Sequence, residues 1–249
     1  MKNADPESRS PLPDPAHAGD TLARRAYRLV RERILKGVYP PGAALSRRRL
    51  ANELGMSLLP VAEALQRLVN EGLLESRPRV GTRVRQPDRD EIRDRYTLRE
   101  ALESQSARLF AERATKAQRA EILRMAKKLD DYYAGWERLQ ADSEYRLSVR
   151  RYHLRFHLRI AEIGGSPLLR QAIEREQDLL FSWLSDTAAQ VHPLPPRYHS
   201  QLAEELCSGD PLRADAAIRA HIRYALDELL KLAFTPNGGR WRMTPRSSP

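Results

Sequence analysis

The sequence predicts a mainly α protein, built from an N-terminal winged helix-turn-helix and a C-terminal all-α helical bundle. Three observations predict it. Apolar residues recur at spacings of three and four from Leu22 almost to the end. A single stretch, LLESRPRVGTRVRQP, alternates instead and carries a Pro and Gly turn. The positive charge is also concentrated in one segment. The 249 residues carry 43 Lys+Arg against 33 Asp+Glu, a net +10, and nine of those ten charges lie between Thr21 and Gln86, where fourteen basic residues face five acids. A charge surplus confined to about a quarter of a chain suits a polyanion-binding module, because neutralised phosphates release counterions.

Taken in order, residues 1–19 hold four prolines and no hydrophobic period, so a disordered tail is expected, and residues 235–249 read the same way. Asp20 or Thr21 caps a first helix whose apolar stripe is Leu22, Ala26, Leu29, Val30 and Ile34, stopped by Gly37 and the Pro40-Pro41 pair. Ser46 caps a second helix to Leu54, ended by Gly55. Ser57 caps a third, with Val61, Ala64, Leu65 and Leu68 inward, ending near Gly72. The alternating stretch follows as a β-hairpin. Helix, helix, turn, helix and basic hairpin make residues 20–87 a winged helix-turn-helix for DNA. Residues 88–234 are expected as a bundle with helices at about 90–113, 117–138, 142–163, 167–187, 197–208 and 210–233.

Several function classes are excluded. No GxGxxG, GxxxxGK[ST] or GxSxG motif occurs, so the common nucleotide and nucleophile signatures of enzymes are missing. One cysteine, Cys207, leaves no intramolecular disulfide and no CxxC site. No apolar run approaches the ~18 residues of a membrane span, and the start of the chain lacks an apolar signal core, so a cytoplasmic protein without membrane contact is expected.

The stretch ILKGVYPPGAALSRRRLANELGMSLLPVAEALQRLVNEGLLESRPRVGTRV resembles the GntR-type winged-helix regulators in its Pro-Gly, Leu-Ala, Gly-x-Ser, Pro-Val, Glu-Ala-Leu and Glu-Gly elements. Three further segments, YTLREALESQSARLFAERA, FHLRIAEIGGSPLL and HSQLAEELCSGDPLRADAAIRAH, resemble the FCD-type effector domain of the FadR branch. Two departures stand out. The family commonly has DNA-contacting arginines where this chain has Leu58 and Ala62, and this chain instead has Arg47, Arg48 and Arg49, with Arg48 at a matching arginine position. The expected DNA-binding set is therefore Arg47, Arg48, Arg49, Ser57, Leu58, Ala62, Arg77, Arg79, Thr82 and Arg83. In it, Leu58 and Ala62 offer apolar contacts to thymine methyls while the arginines hold phosphates or enter a minor groove.

Four histidines lie in the helical half: His153 and His157 four apart, then His199 and His221. Spacing of four puts two imidazoles on one helix face. The resemblance implies a divalent metal at these four positions, where the family usually has Asp, His, His and His, so His153 replaces a carboxylate. An all-imidazole set suits zinc, nickel or copper better than magnesium or calcium, with zinc or nickel the expected ion. The resemblance also implies that Arg99 faces the effector pocket and pairs with a small carboxylate; a surface salt bridge to Glu103 is the competing reading. Phe181, Trp183, Tyr152 and Phe156 read as core. His17 and His192 are not expected as ligands. The expected function is a homodimeric, ligand-responsive regulator, a repressor, on a double-stranded DNA operator. The alternative is a metal-dependent enzyme or ligand-binding protein that uses the histidine cluster.

Overall fold

The structure is a computed structural model that describes residues 20–77, 81–184 and 193–233, with described side chains ending at Gln177 before the 185–192 gap and at Lys231. Helix α1 (Leu22–Leu35) starts at Thr21, whose hydroxyl accepts from the Arg24 N–H at 3.2 Å, and buries Ala26, Val30 and Ile34. After it come β1 (Ala44–Leu45), α2 (Arg47–Leu54), α3 (Leu58–Asn70), β2 (Leu74–Arg77) and β3 (Gly81–Val84). The expected hairpin is present, and the two-residue β1, too short for any alternation to reveal, joins it. The antiparallel order is β1-β3-β2, with Leu45 opposite Thr82 and Ser76 opposite Thr82. Ser46 caps α2 and Gly55 ends it in the left-handed region at φ 62, where glycine is favoured.

Ser57 departs from expectation: it occupies the N-cap position of α3, yet its side chain makes no capping bond. The reason is local. The third helical residue is Pro60, which has no N–H for a cap to accept from.

The helical half contains α4 (Arg89–Arg113), α5 (Lys116–Ala134), α6 (Trp136–Ala141), α7 (Ser143–Gly164), α8 (Pro167–Leu184), α9 (Tyr198–Leu206) and α10 (Pro211–Ala233). The single helix expected over 117–138 is two helices, broken at Gly135, although a Thr115–Gln118 capping box starts α5 as strongly as any signal in the chain. Helix α4 is the axis of the bundle, packed by α7, α8, α9 and α10. Its buried positions, from Ile92 to Ala111, recur at three and four along one broad face of the helix and include Arg99, Glu103, Ser104 and Ser106. That polar burial is why α4 lacks a simple apolar stripe.

Phe110, Ile122, Leu129 and Phe156 are fully enclosed and continuous with the winged-helix core around Val30, Ile34, Val61 and Leu68. Tyr152 packs against that core and Phe156 lies in it, as expected; the Phe181 and Trp183 side chains, His17, His192, Arg79 and both tails lie outside the described residues. The halves touch where α1 meets α8 and where Lys36 Nζ pairs with Glu144 at 2.8 Å.

Candidate functional site

The bundle brings the four histidines together in one chamber between α5, α7, α9 and α10, where His157, His199 and His221 are buried and His153 is half-buried. His153 and His157 sit one turn apart on α7 with their Nε2 atoms 2.9 Å from each other. One ring nitrogen each from His153, His157 and His221 fall within 4.8 Å of one another. The His199 ring centre lies 4.9 Å from that of His153 and 5.6 Å from that of His221.

Each ring is aimed by its surroundings. Asp130, on α5, accepts from the His199 backbone N–H at 2.8 Å, from its Nδ1 at 3.0 Å, and from the Ser200 N–H at 3.0 Å and hydroxyl at 2.5 Å. One carboxylate from another helix thus caps α9 and fixes the tautomer of His199, leaving Nε2 with its lone pair, buried and without a hydrogen-bond partner. His157 Nδ1 lies 2.6 Å from Glu103 Oε2, which likewise turns its Nε2 toward His153. Tyr133 Oη is 3.3 Å from His153 Nδ1, and Tyr198 stacks on His221 at 4.7 Å while its hydroxyl donates to the His221 carbonyl at 2.9 Å. His221 Nδ1 is buried without a partner.

Burial, reinforced by the other imidazoles and Arg99, holds His153 and His221 well below the ordinary histidine range, and burial lowers His199 despite Asp130. These rings are neutral, the form that ligates a cation. Burial works to raise Asp130, but the His199 and Ser200 hydrogen bonds outweigh it and bring it to about 2. Burial also pushes Tyr133 up to about 12. Two nitrogens on a tetrahedral zinc stand about 3.3 Å apart when each bond is ~2.0 Å. Converging, neutral imidazoles with orphaned nitrogens and carboxylates behind two of them fit a zinc-like ion.

Arg99 is next to this chamber, but its side chain is already engaged. Its Nε donates to Glu103 Oε1 at 2.5 Å, and the pair is buried. The structure corrects the competing reading by showing the Arg99–Glu103 pair as internal. Glu103 also receives Gln177 Nε2 at 2.9 Å, tying α4 to α8. Burial would raise the Glu103 carboxyl, but Arg99 and then His157 hold it down at about 2.

On the winged helix, Arg47, Arg48, Ser57 and Arg83 are exposed. Arg49 pairs with Glu53 at 2.7 Å and Arg77 with Glu75 at 3.1 Å, both on the surface. Leu58 is 53% exposed. Ala62 is half-buried and lines a notch of about 310 Å³ with Arg47, Gln66, Ser76 and Thr82. Thr82 is a correction: at 9% exposure it faces inward, because the β3 alternation sends Gly81 and Arg83 out and Thr82 and Val84 in.

Sequence reasoning missed Asp130, Tyr133 and Gln177, and it took Glu103 only as a surface partner. Asp130 and His199 are 69 residues apart, so no single-helix pattern connects them. The i, i+4 spacing of Arg99 and Glu103 was a usable signal.

Comparison with known proteins agrees with this architecture. The family description "Bacterial regulatory proteins, gntR family" matches residues 22–84, and the FCD domain matches residues 94–224. The chain is 28% identical over 202 residues to the HTH-type transcriptional repressor GlaR of Escherichia coli (strain K12), which covers 79% of this chain and 90% of that protein. It is 40% identical over 85 residues to an HTH-type transcriptional regulator in an unstable DNA locus of Streptomyces ambofaciens, covering 34% of this chain and only 36% of that relative. Two solved structures share the fold: E. coli McbR/YncC, with a TM-score of 0.64 at 24% identity over 85% of this chain and 98% of that one, and a GntR transcriptional regulator from Rhodococcus sp. RHA1, with a TM-score of 0.65 at 23% identity over 86% and 99%. With an FCD domain matched over more than half of its length behind a matching winged helix, the chain belongs to the GntR family of bacterial regulatory proteins, in the group that carries an FCD domain.

Proposed function

We propose that the chain is a homodimeric repressor that holds a double-stranded DNA operator through its winged helices and answers to a small carboxylate effector bound over a divalent metal, zinc or nickel, in the histidine chamber. The observation that carries the effector half of this reading is the convergence of four imidazoles, three of them buried and that of His153 half-buried, with Asp130 and Glu103 behind His199 and His157. His153, His157, His199 and His221 would hold the ion. Bound there, it would supply a fixed positive charge that attracts an anionic ligand.

Arg99 offers the second positive group, and Glu103 sets the terms of its use. An entering carboxylate reaches the Arg99 fork only by sharing it with Glu103 or displacing it. Displacing Glu103 disturbs Gln177 on α8, which donates to the same carboxylate oxygen, and α8 packs on α1 of the DNA-binding half. That packed route is how ligand binding would alter the setting of the winged helix. The DNA half rests on Arg47, Arg48 and Arg83, exposed cations on the first turn of α2 and the wing, with Arg49 and Arg77 held in surface pairs that DNA phosphates can replace.

The test measures binding of the full chain to DNA fragments selected from its own genome, between 50 and 200 mM salt. The expected log–log slope is steep, about −0.9 for each phosphate contact. Arg48→Ala and Arg83→Ala should each make it shallower by roughly one contact, and Arg99→Ala should bind DNA normally but no longer respond to carboxylates. A flat salt response contradicts the DNA reading. Normal release by carboxylate in Arg99→Ala contradicts the assigned role of Arg99.

A further inference from the structure

The first turn of α3 presents two neighbouring leucines to solvent, Leu58 at 53% and Leu59 at 68% exposure. Single exposed aliphatics are ordinary on a protein surface, but an adjacent pair at the tip of this helix stands among exposed cations. Arg47 and Arg48 begin α2, and Arg83 points outward from the wing. Spacing of four puts Leu58, Ala62 and Gln66 on one face, and Ala62 and Gln66 line the notch with Arg47. An apolar strip bordered by arginines complements a polyanion whose interior surface is partly apolar.

The major groove of DNA offers such a surface. Its base edges carry hydrogen-bonding groups that leucine and alanine cannot satisfy, together with one apolar group, the 5-methyl of thymine. A cytosine amino group or a guanine acceptor pressed against Leu58 would lose water and gain no partner. Gln66, one turn further along, has the amide that suits adenine, the partner of thymine. We infer that Leu58, Leu59 and Ala62 form a reader of 5-methylpyrimidines, so that each half-site is chosen at one or two positions by a methyl group rather than by a hydrogen-bonded guanine. This rests on the DNA-binding reading above and specifies what the helix reads. Thymine and 5-methylcytosine present the same methyl and are separated by experiment.

The full chain is used to enrich sites from a random duplex library, and the best site is resynthesised with each thymine replaced in turn by deoxyuridine, which removes the methyl alone. Uracil should weaken binding about fourfold at one or two positions per half-site, the worth of one buried methyl. At those positions 5-methylcytosine should bind more tightly than cytosine by a similar factor. The double variant Leu58→Ala/Leu59→Ala, checked by thermal melt, should bind thymine and uracil sites equally while keeping the wild-type salt slope.

Equal binding of thymine and uracil sites by the wild type at every position overturns the inference. So does the absence of any enriched sequence under steeply salt-dependent binding, which leaves phosphate binding standing. Weak binding that ignores salt defeats the DNA reading itself. A change in sedimenting mass for the double variant, with unchanged uracil sensitivity, would show that the leucines cover another copy of the chain and would also overturn the inference.

Discussion

Glu103 is the residue on which the chamber turns. It meets Arg99 from its own helix, His157 from α7 and Gln177 from α8, all out of water. Removing one member of such a buried pair leaves a charge without compensation, which typically costs about 3–5 kcal/mol. Glu103→Ala, measured by denaturant unfolding of chelator-stripped protein, should therefore lose stability on that scale. Glu103→Gln retains an acceptor and the volume and should lose about 1–3 kcal/mol. A Glu103→Ala protein within 1 kcal/mol of the wild type would mean that Arg99 finds another partner and that the pair is not structural. Asp130 acts on His199 in the same manner from a different helix. Carboxylates behind ligating histidines commonly tune metal affinity by 10- to 100-fold, so Asp130→Asn should weaken metal binding by a factor in that range, read by competition with a chromophoric chelator.

At the scale of elements, local signals were legible where one residue type decides the backbone. Thr21, Ser46, Asp88 and Thr115 cap as their types predict. Ser57 does not, and the cause, Pro60 two residues inside the helix, is itself visible in the sequence. The break at Gly135 was not legible, because a lone glycine inside a helical period is usually tolerated at a modest cost. The site was half legible: His153 and His157 share one helix and could be paired by spacing, whereas Asp130 reaches His199 only through the packing of α5 on α9.

The same packing makes a prediction at Gly164, where α7 crosses α4. A Cβ there would stand 3.1 Å from Leu109 Cβ and 3.4 Å from the Ser106 carbonyl, both fixed on the bundle's axis. Gly164→Ala gains helix propensity worth up to about 1 kcal/mol but must push α7 off α4, at a cost of roughly 1–3 kcal/mol. A net loss of about 1 kcal/mol in a denaturant titration is expected. A stabilised variant would show that the crossing has slack.

For the whole molecule, the two halves share a continuous core and meet at α1 and α8, so a change in the chamber has a packed path to the DNA-binding half. That path matters only if the chamber is a metal site. Its histidines come from α7, α9 and α10, and an ion bound by all of them would tie these helices together and stabilise the fold by linkage. The direct measurement is elemental analysis of protein purified without a histidine tag, alongside His157→Ala and His221→Ala. About one zinc or nickel per chain is predicted for the wild type, with content and melting temperature falling together in both variants. Substoichiometric metal in the wild type, or unchanged content and melting temperature in both variants, would contradict the metal chamber and the effector mechanism built on it.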